Sequence, residues 1–224
     1  MRLAIVVPAL NEEATLSRNL PAALAAADEV VVSDGGSRDG TVEVARRLGA
    51  RVVCGPPGRG GQLNRGARAV EAADVLLFLH ADTTLPPRGA EAVRAAIASG
   101  ATGGAFLVRF DVDRPTQRLG AWLINQRTRV LRLPLGDQAQ FVTREVFERL
   151  EGYRDWPILE DLDFAMRLRR LGGMVLIEEP VTTGARRFLE QGAPRTVATN
   201  WLIWILFFLG VSPHRLARLY RHIR

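Results

Sequence analysis

Val75-Leu76-Leu77-Phe78-Leu79-His80-Ala81-Asp82 decides how the rest of the chain is read. Five consecutive apolar residues with no polar alternation have the pattern of a strand buried on both faces of a parallel sheet. Asp82 stands just past the carboxyl end of that strand. In open α/β sheets this edge is where ligands bind, and a carboxylate there can hold a hard divalent cation that in turn holds phosphate.

Working outward, the first half of the chain alternates strands and helices. Leu3 to Val7, Glu29 to Ser33 and Arg51 to Cys54 read as further strands, with helices over Ala14 to Ala26, Thr41 to Leu48 and Asn64 to Ala73. Such βαβ repetition implies a parallel sheet with right-handed crossovers. The second half is less regular. It suggests helices over Pro87 to Ser99, Thr116 to Leu131 and Glu160 to Leu171, and strands over Ala105 to Phe110 and Met174 to Glu178. At 224 residues with no Pro/Gly/Ser linker, one domain is expected.

Because parallel strands point the same way, three loops must share one sheet edge: Pro8-Ala9-Leu10-Asn11-Glu12-Glu13, Asp34 to Thr41, and His80-Ala81-Asp82. The first lacks the glycines of a dinucleotide fingerprint. Asp34 can accept hydrogen bonds from a base or ribose, which favours a single nucleotide over NAD; equally, Asp34 and Ser37 can simply build a turn and cap the next helix. Gly55-Pro56-Pro57-Gly58-Arg59-Gly60-Gly61-Gln62 is either a phosphate- or base-contacting loop, through its amides and Arg59, or a flexible connection. Glu160-Asp161-Leu162-Asp163 opens a helix with more carboxylates than the dipole requires, and one of them is a candidate general base. Gly136-Asp137-Gln138 suits holding hydroxyls, or is a plain turn. Arg186-Arg187 can neutralise a departing diphosphate or lie on the surface.

Composition narrows the chemistry. All thirty basic residues are Arg, so P-loop ATPase, Schiff-base and lysine-dependent nucleotidyltransferase chemistry is excluded. The net charge of +6 suits anionic ligands or an acidic membrane surface. Arg residues scattered along helices, without an aromatic-interleaved tract, argue against nucleic acid. Cys54 is the only cysteine and the first residues run straight into a strand, so a cytoplasmic location is expected.

In order along the chain, Pro8 to Glu13, Ser33 to Thr41, His80-Ala81-Asp82, Gly136-Asp137-Gln138 and Glu160-Asp161 resemble the GT-A glycosyltransferases, in particular family 2 and the small bacterial group called selenodomain-associated transferase type 2. The resemblance implies a Rossmann-like, mostly parallel α/β sheet flanked by helices, in one domain with a nucleotide-binding half (1–110), an acceptor half (111–195) and apolar and basic C-terminal helices (196–224). It also implies transfer of one sugar from a nucleoside diphosphate sugar (UDP- or GDP-linked) to a hydroxyl acceptor. Carried over residue by residue, Pro8, Ala9, Leu10, Glu12, Asp34, Arg59 and Ala81 would meet the nucleotide. Gly136, Asp137, Gln138, Arg186 and Arg187 would meet the acceptor or diphosphate. Asp82 and His80 would hold Mn²⁺ or Mg²⁺, and Asp161, with Glu160 beside it, would be the base of an inverting reaction. A retaining transferase and a nucleotide-binding module without catalysis are the alternatives. Two departures stand out. His80 replaces the first Asp of D-x-D, which favours Mn²⁺ because it tolerates nitrogen better than Mg²⁺. The Q-x-x-R-W motif of processive synthases is missing, which favours a single transfer.

Trp201 to Val211 is nearly all bulky and apolar. As a helix it would be about 16 Å long, too short for a hydrocarbon core of ~30 Å. It must nevertheless be covered, because five such side chains left in water forgo on the order of 10 kcal/mol. Ser212-Pro213 then reads as an N-cap and first residue of a basic helix through Arg215, Arg218, Arg221 and Arg224. Core or dimer packing, and peripheral contact with an anionic membrane, are the two coverings to weigh.

Overall fold

In the computed structural model, residues 1–185 and 193–223 are described. Three parallel pairings build the N-terminal half: β1 (Leu3–Ala9) lies between β2 (Glu29–Asp34) and β4 (Val75–Phe78), and β3 (Arg51–Cys54) extends the sheet beyond β2. The full order is β3-β2-β1-β4-β7-β6-β8-β5, with β5 at Thr83–Thr84, β6 at Gly103–Phe110, β7 at Phe141–Thr143 and β8 at Met174–Thr183. The antiparallel β7 sits between β4 and β6, so the sheet is mostly parallel but not uniformly so.

β4 lies at the centre with all four residues buried. Its pleat sends successive side chains to opposite faces. Val75 and Leu77 join Leu3, Ile5, Phe106 and Phe141 on one side, packed against the helices α1 (Glu13–Ala26) and α4 (Gly89–Ala98). Leu76 and Phe78 join Ala4, Val6, Phe147, Tyr153 and Phe164 on the other. There α3 (Arg59–Ala69), α6 (Arg144–Arg149) and α7 (Glu160–Leu171) close the layer. Phe78 meets Tyr153 edge-on at 4.9 Å and Phe147 at 5.3 Å between ring centroids. The remaining described helices are α2 (Thr41–Arg47), α5 (Pro115–Leu131), α8 (Ala193–Phe208) and α9 (Pro213–Ile223).

Several boundaries differ from the sequence reading. α3 starts at Arg59, inside the glycine-rich stretch, and ends at Ala69 instead of running from Asn64 to Ala73. The cause is Gly60: a Cβ there would lie 2.2 Å from the Arg154 carbonyl oxygen, so glycine lets the first turn of α3 dock on the 152–155 segment. Asn64 completes that docking with bonds to both the N–H and the carbonyl of Tyr153. The apolar C-terminal segment was expected to be covered, and only part of it is. Ile203 and Trp204 are buried and Phe207 packs on Trp156, while Trp201, Leu202, Ile205, Phe208 and Leu209 are exposed. Ser212-Pro213 does open α9, whose first turn bonds back to the Ser212 carbonyl. Among the described residues no helix is long and apolar enough to cross a membrane.

Candidate active site

The register of β1, β2 and β4 brings their carboxyl ends together. Ala9 pairs with Asp34, Asp34 with Cys54, and Val6 with Phe78, so the three polar loops share one sheet edge.

The first two loops are laced to each other. Asn11, in the left-handed region at φ 55°, donates its N–H to Ser37 Oγ at 2.8 Å and accepts from the Arg38 N–H at 2.9 Å. The Glu12 N–H donates to Thr41 Oγ1, and the Gly40 N–H to the Glu13 carboxylate. Asp34 accepts from the Gly36 and Ser37 amides at 2.8 and 3.0 Å and from the Ser37 hydroxyl. Both carboxylate oxygens of Asp34 are thus engaged in its own turn, although each keeps further acceptor capacity. Ala9 is buried and its carbonyl is taken by the Gly35 N–H and the Gln62 amide, while Leu10 is exposed. Pro8 and Glu12 are half-buried. Gln62 also holds the Ser33 carbonyl, and Arg65 donates to the Asp34 carbonyl at 2.9 Å. Gln62 was quoted only as the end of the glycine-rich loop and Arg65 was not singled out. Their role depends on contacts across about thirty residues, which no local spacing reveals.

The third loop is held from two sides. The Asn19 side-chain amide donates to the Ala81 carbonyl at 2.9 Å, and Thr83 shares a hydroxyl bond of 2.9 Å with Thr183 on β8. Asp82 is exposed. A Cβ on Gly184 would come within 3.0 Å of its Oδ2, so glycine keeps that flank open.

The acidic start of α7 meets the turn at 136–138. Asp161 accepts from the Gly136 N–H through Oδ2 at 2.8 Å and from the Leu162 N–H through Oδ1 at 2.7 Å. Two backbone amides therefore fix its orientation while each oxygen retains a second lone pair. Gly136 also adjoins His80: a Cβ there would lie 2.7 Å from His80 Nε2 and 3.3 Å from Asp161 Oδ2. The strand-end loop and the α7 carboxylate, 81 residues apart in sequence, thus converge on one glycine. Glu160 is 3% exposed and faces Arg59, with Nε to Oε1 at 3.8 Å. Burial, reinforced by the Asp161 charge and opposed by Arg59, raises its pKa from 4.5 to about 7. Below it, the buried Tyr153 hydroxyl donates to Gln140, whose amide holds the Asp161 carbonyl. Burial pushes the phenol well above its usual value.

Other expected residues serve the scaffold. Gln138 is completely buried and its amide bonds to Thr128, the Leu135 N–H and the Phe106 carbonyl, so it does not present itself to an acceptor as expected. Asp163 pairs with Arg167, which also binds the Leu150 and Gly152 carbonyls. Asp137 contributes charge to its neighbour Arg127, as Asp161 does; desolvation nevertheless lowers the pKa of that guanidinium, which lies 4.7 Å above the Trp204 ring centroid. Arg127 was not singled out in the sequence. Arg186 and Arg187 lie outside the described residues.

Residues 4–149 match the sequence model of glycosyl transferase family 2. The chain belongs to this family. It is accordingly a glycosyltransferase with the GT-A fold. No curated protein matches the sequence. Among solved structures, the chain is similar to TarS of S. aureus, at 15% identity and TM-score 0.66, covering 96% of this chain and 68% of that one. It is also similar to glucosyl-3-phosphoglycerate synthase from Mycobacterium tuberculosis, solved with Mn²⁺, UDP-glucose and phosphoglyceric acid. That likeness is at 24% identity and TM-score 0.65, covering 90% of this chain and 78% of that one. At these identities the likeness speaks to the fold.

Proposed function

We propose that this enzyme transfers a single sugar, with inversion, from a UDP- or GDP-sugar to a hydroxyl acceptor, with Asp161 as the general base. The observation that carries the reading is the Asp161 carboxylate, aimed by the Gly136 and Leu162 amides and adjoining the same glycine as His80. A positioned carboxylate can take the acceptor's hydroxyl proton as the new C–O bond forms at the anomeric carbon and the bond to the diphosphate oxygen breaks. The laced loops around Asp34 would seat the nucleotide, and Arg59 stands at the start of α3 near Glu160.

The donor set suits a divalent cation that arrives with the diphosphate. Asp82 and His80 would hold it, and glycines at 184 and 136 keep side chains away from both ligating atoms. Among the described residues no three His, Cys, Asp or Glu side chains gather into a metal cage, so substrate oxygens and water must complete the shell. When bound, such an ion would neutralise charge on the diphosphate. An imidazole ligand favours Mn²⁺ over Mg²⁺, in keeping with the Mn²⁺ that the mycobacterial synthase binds.

Calorimetry with UDP and GDP, with and without Mn²⁺, tests the reading alongside turnover across sugar nucleotides. Asp82→Ala is expected to abolish metal-dependent donor binding, and Asp161→Asn to keep donor binding while removing turnover. Near-normal turnover of Asp161→Asn would show that another group is the base. The anomeric configuration of the product separates inversion from retention.

A further inference from the structure

The outward faces of α5 and α8 carry large apolar side chains that nothing among the described residues covers. Trp122 and Leu123 project from α5, and Trp201, Ile205, Phe208 and Leu209 from α8 and its end, with Trp122 55%, Trp201 49%, Phe208 54% and Leu209 75% exposed. The other side of α8 is anchored through Ile203, which is buried, and Phe207, which packs on Trp156. Trp204 lies under Arg127 of α5 and against Leu133, Leu162 and Ala165. Trp204 also meets Trp201 and Phe208 at 6.3 and 6.2 Å between ring centroids, so the exposed stripe of α8 borders its contact with α5.

Charge is segregated onto α5 and the C-terminal helices α8 and α9. Arg114 to Arg132, which is α5 with its caps, and residues 193–224 together contain ten of the thirty Arg and none of the 24 acidic residues. The remainder of the chain holds 20 Arg against 24 carboxylates, so a net charge of +6 arises from cationic helices on an otherwise acidic chain. Arg118 and Arg129 are offset by exposed pairs with Asp113 and Glu178. Arg114, Arg132, Arg215 and Arg218 are exposed.

We infer that this face docks on an anionic lipid bilayer, with the apolar stripes of α5 and α8 entering the headgroup boundary and the arginines meeting lipid phosphates. A bilayer surface answers both halves of the pattern, hydrocarbon for the tryptophans and leucines and anionic headgroups for the guanidiniums. A polyanion in water would leave the apolar stripes uncovered. A two-fold contact with a second copy would set the arginines of one face against those of the other, with no carboxylate in either stretch to offset them. α8 spans 16 residues, about 24 Å at ~1.5 Å per residue, which is short of a crossing and sufficient for lying in the interface.

The inference is independent of the donor and of the base. Flotation of the full-length protein with phosphatidylcholine vesicles, with and without phosphatidylglycerol, tests it. Binding is expected only with the anionic lipid and should weaken with salt. Arg215→Glu/Arg218→Glu should lower the partition coefficient by about fivefold or more per arginine. Ile205→Ser/Phe208→Ser should lower it at high salt as well, where the apolar contribution persists. Both variants change exposed positions, and unchanged near-ultraviolet circular dichroism confirms that each retains its fold. Failure of the wild-type protein to bind anionic vesicles would overturn the inference, as would binding that neither variant changes. A reversible dimer in sedimentation velocity that Ile205→Ser/Phe208→Ser abolishes, without any vesicle binding, would assign the face to self-association and overturn it equally.

Discussion

Glu160→Gln should make the protein more stable at neutral pH and flatten its pH dependence. Glu160 sits at the start of α7, almost out of water, beside the charge of Asp161, and its pKa is raised from 4.5 to about 7. Below pH 4.5 the folded and unfolded states both hold the proton, and burial of the neutral carboxyl carries no electrostatic penalty. Between pH 4.5 and 7 the unfolded chain has released the proton while the fold retains it, so folding takes up a proton and stability falls by at most about 1.4 kcal/mol per pH unit. Above pH 7 the loss is complete, at about 3 kcal/mol. Glutamine keeps the shape and has nothing to ionise. The variant also loses the Arg59 contact, but that guanidinium is 46% exposed and 3.8 Å away, which limits its worth to under ~1 kcal/mol. Urea denaturation followed by tryptophan fluorescence at pH 5, 6, 7 and 8 reads the effect directly. The stability of Glu160→Gln relative to wild type should climb by about 2–3 kcal/mol across that range. Parallel curves for the two proteins would refute the reasoning, because they would mean that Glu160 ionises in the fold as readily as in the unfolded chain.

Gly136→Ala would drive a methyl group to 2.7 Å from His80 Nε2 and 3.3 Å from Asp161 Oδ2. If Asp161 is the base, kcat should fall on the order of a hundredfold through its displacement, and crowding of His80 should weaken metal-dependent donor binding as well; unchanged kcat would show that the base does not depend on this turn. Phe78→Ala removes the ring that Tyr153, Phe147 and Phe164 surround and should cost about 3–5 kcal/mol in urea denaturation. A loss below ~1 kcal/mol would mean that the aromatic cluster repacks around the gap.

The sheet core was legible because a strand buried on both faces cannot hide its composition. Val75 to Leu79 announced β4, and the loops at the strand ends followed from parallel geometry alone. β7 and α6 escaped because Phe141-Val142-Thr143 is too short for a period, and its pairing with β4 lies some 65 residues away. The glycine-rich stretch read as a connection because propensity disfavours glycine in a helix; packing of Gly60 against Arg154 overrode that preference. At the site, Asp34 and Asp82 could be singled out from their positions and Asp161 through the family resemblance, but their partners could not. Asn11, Glu13 and Ser37 carry polar groups suited to a ligand, yet much of their hydrogen bonding goes to holding two loops together. The Gly136 and Asp161 contact spans 25 residues and depends on a backbone amide, which leaves no trace in side-chain chemistry.

That contact has a consequence for how the carboxylate is aimed. Asp161 is held by main-chain N–H groups, which have no rotamers to lose, and by a glycine that contributes no side chain to rearrange. The conformational entropy of aiming the carboxylate is therefore surrendered when the chain folds and, if Asp161 is the base, need not be surrendered again at each catalytic cycle. Substituting the side chains around Asp161 one at a time would leave this preorganisation in place, because it resides in the peptide backbone of the 136–138 turn and of the first turn of α7.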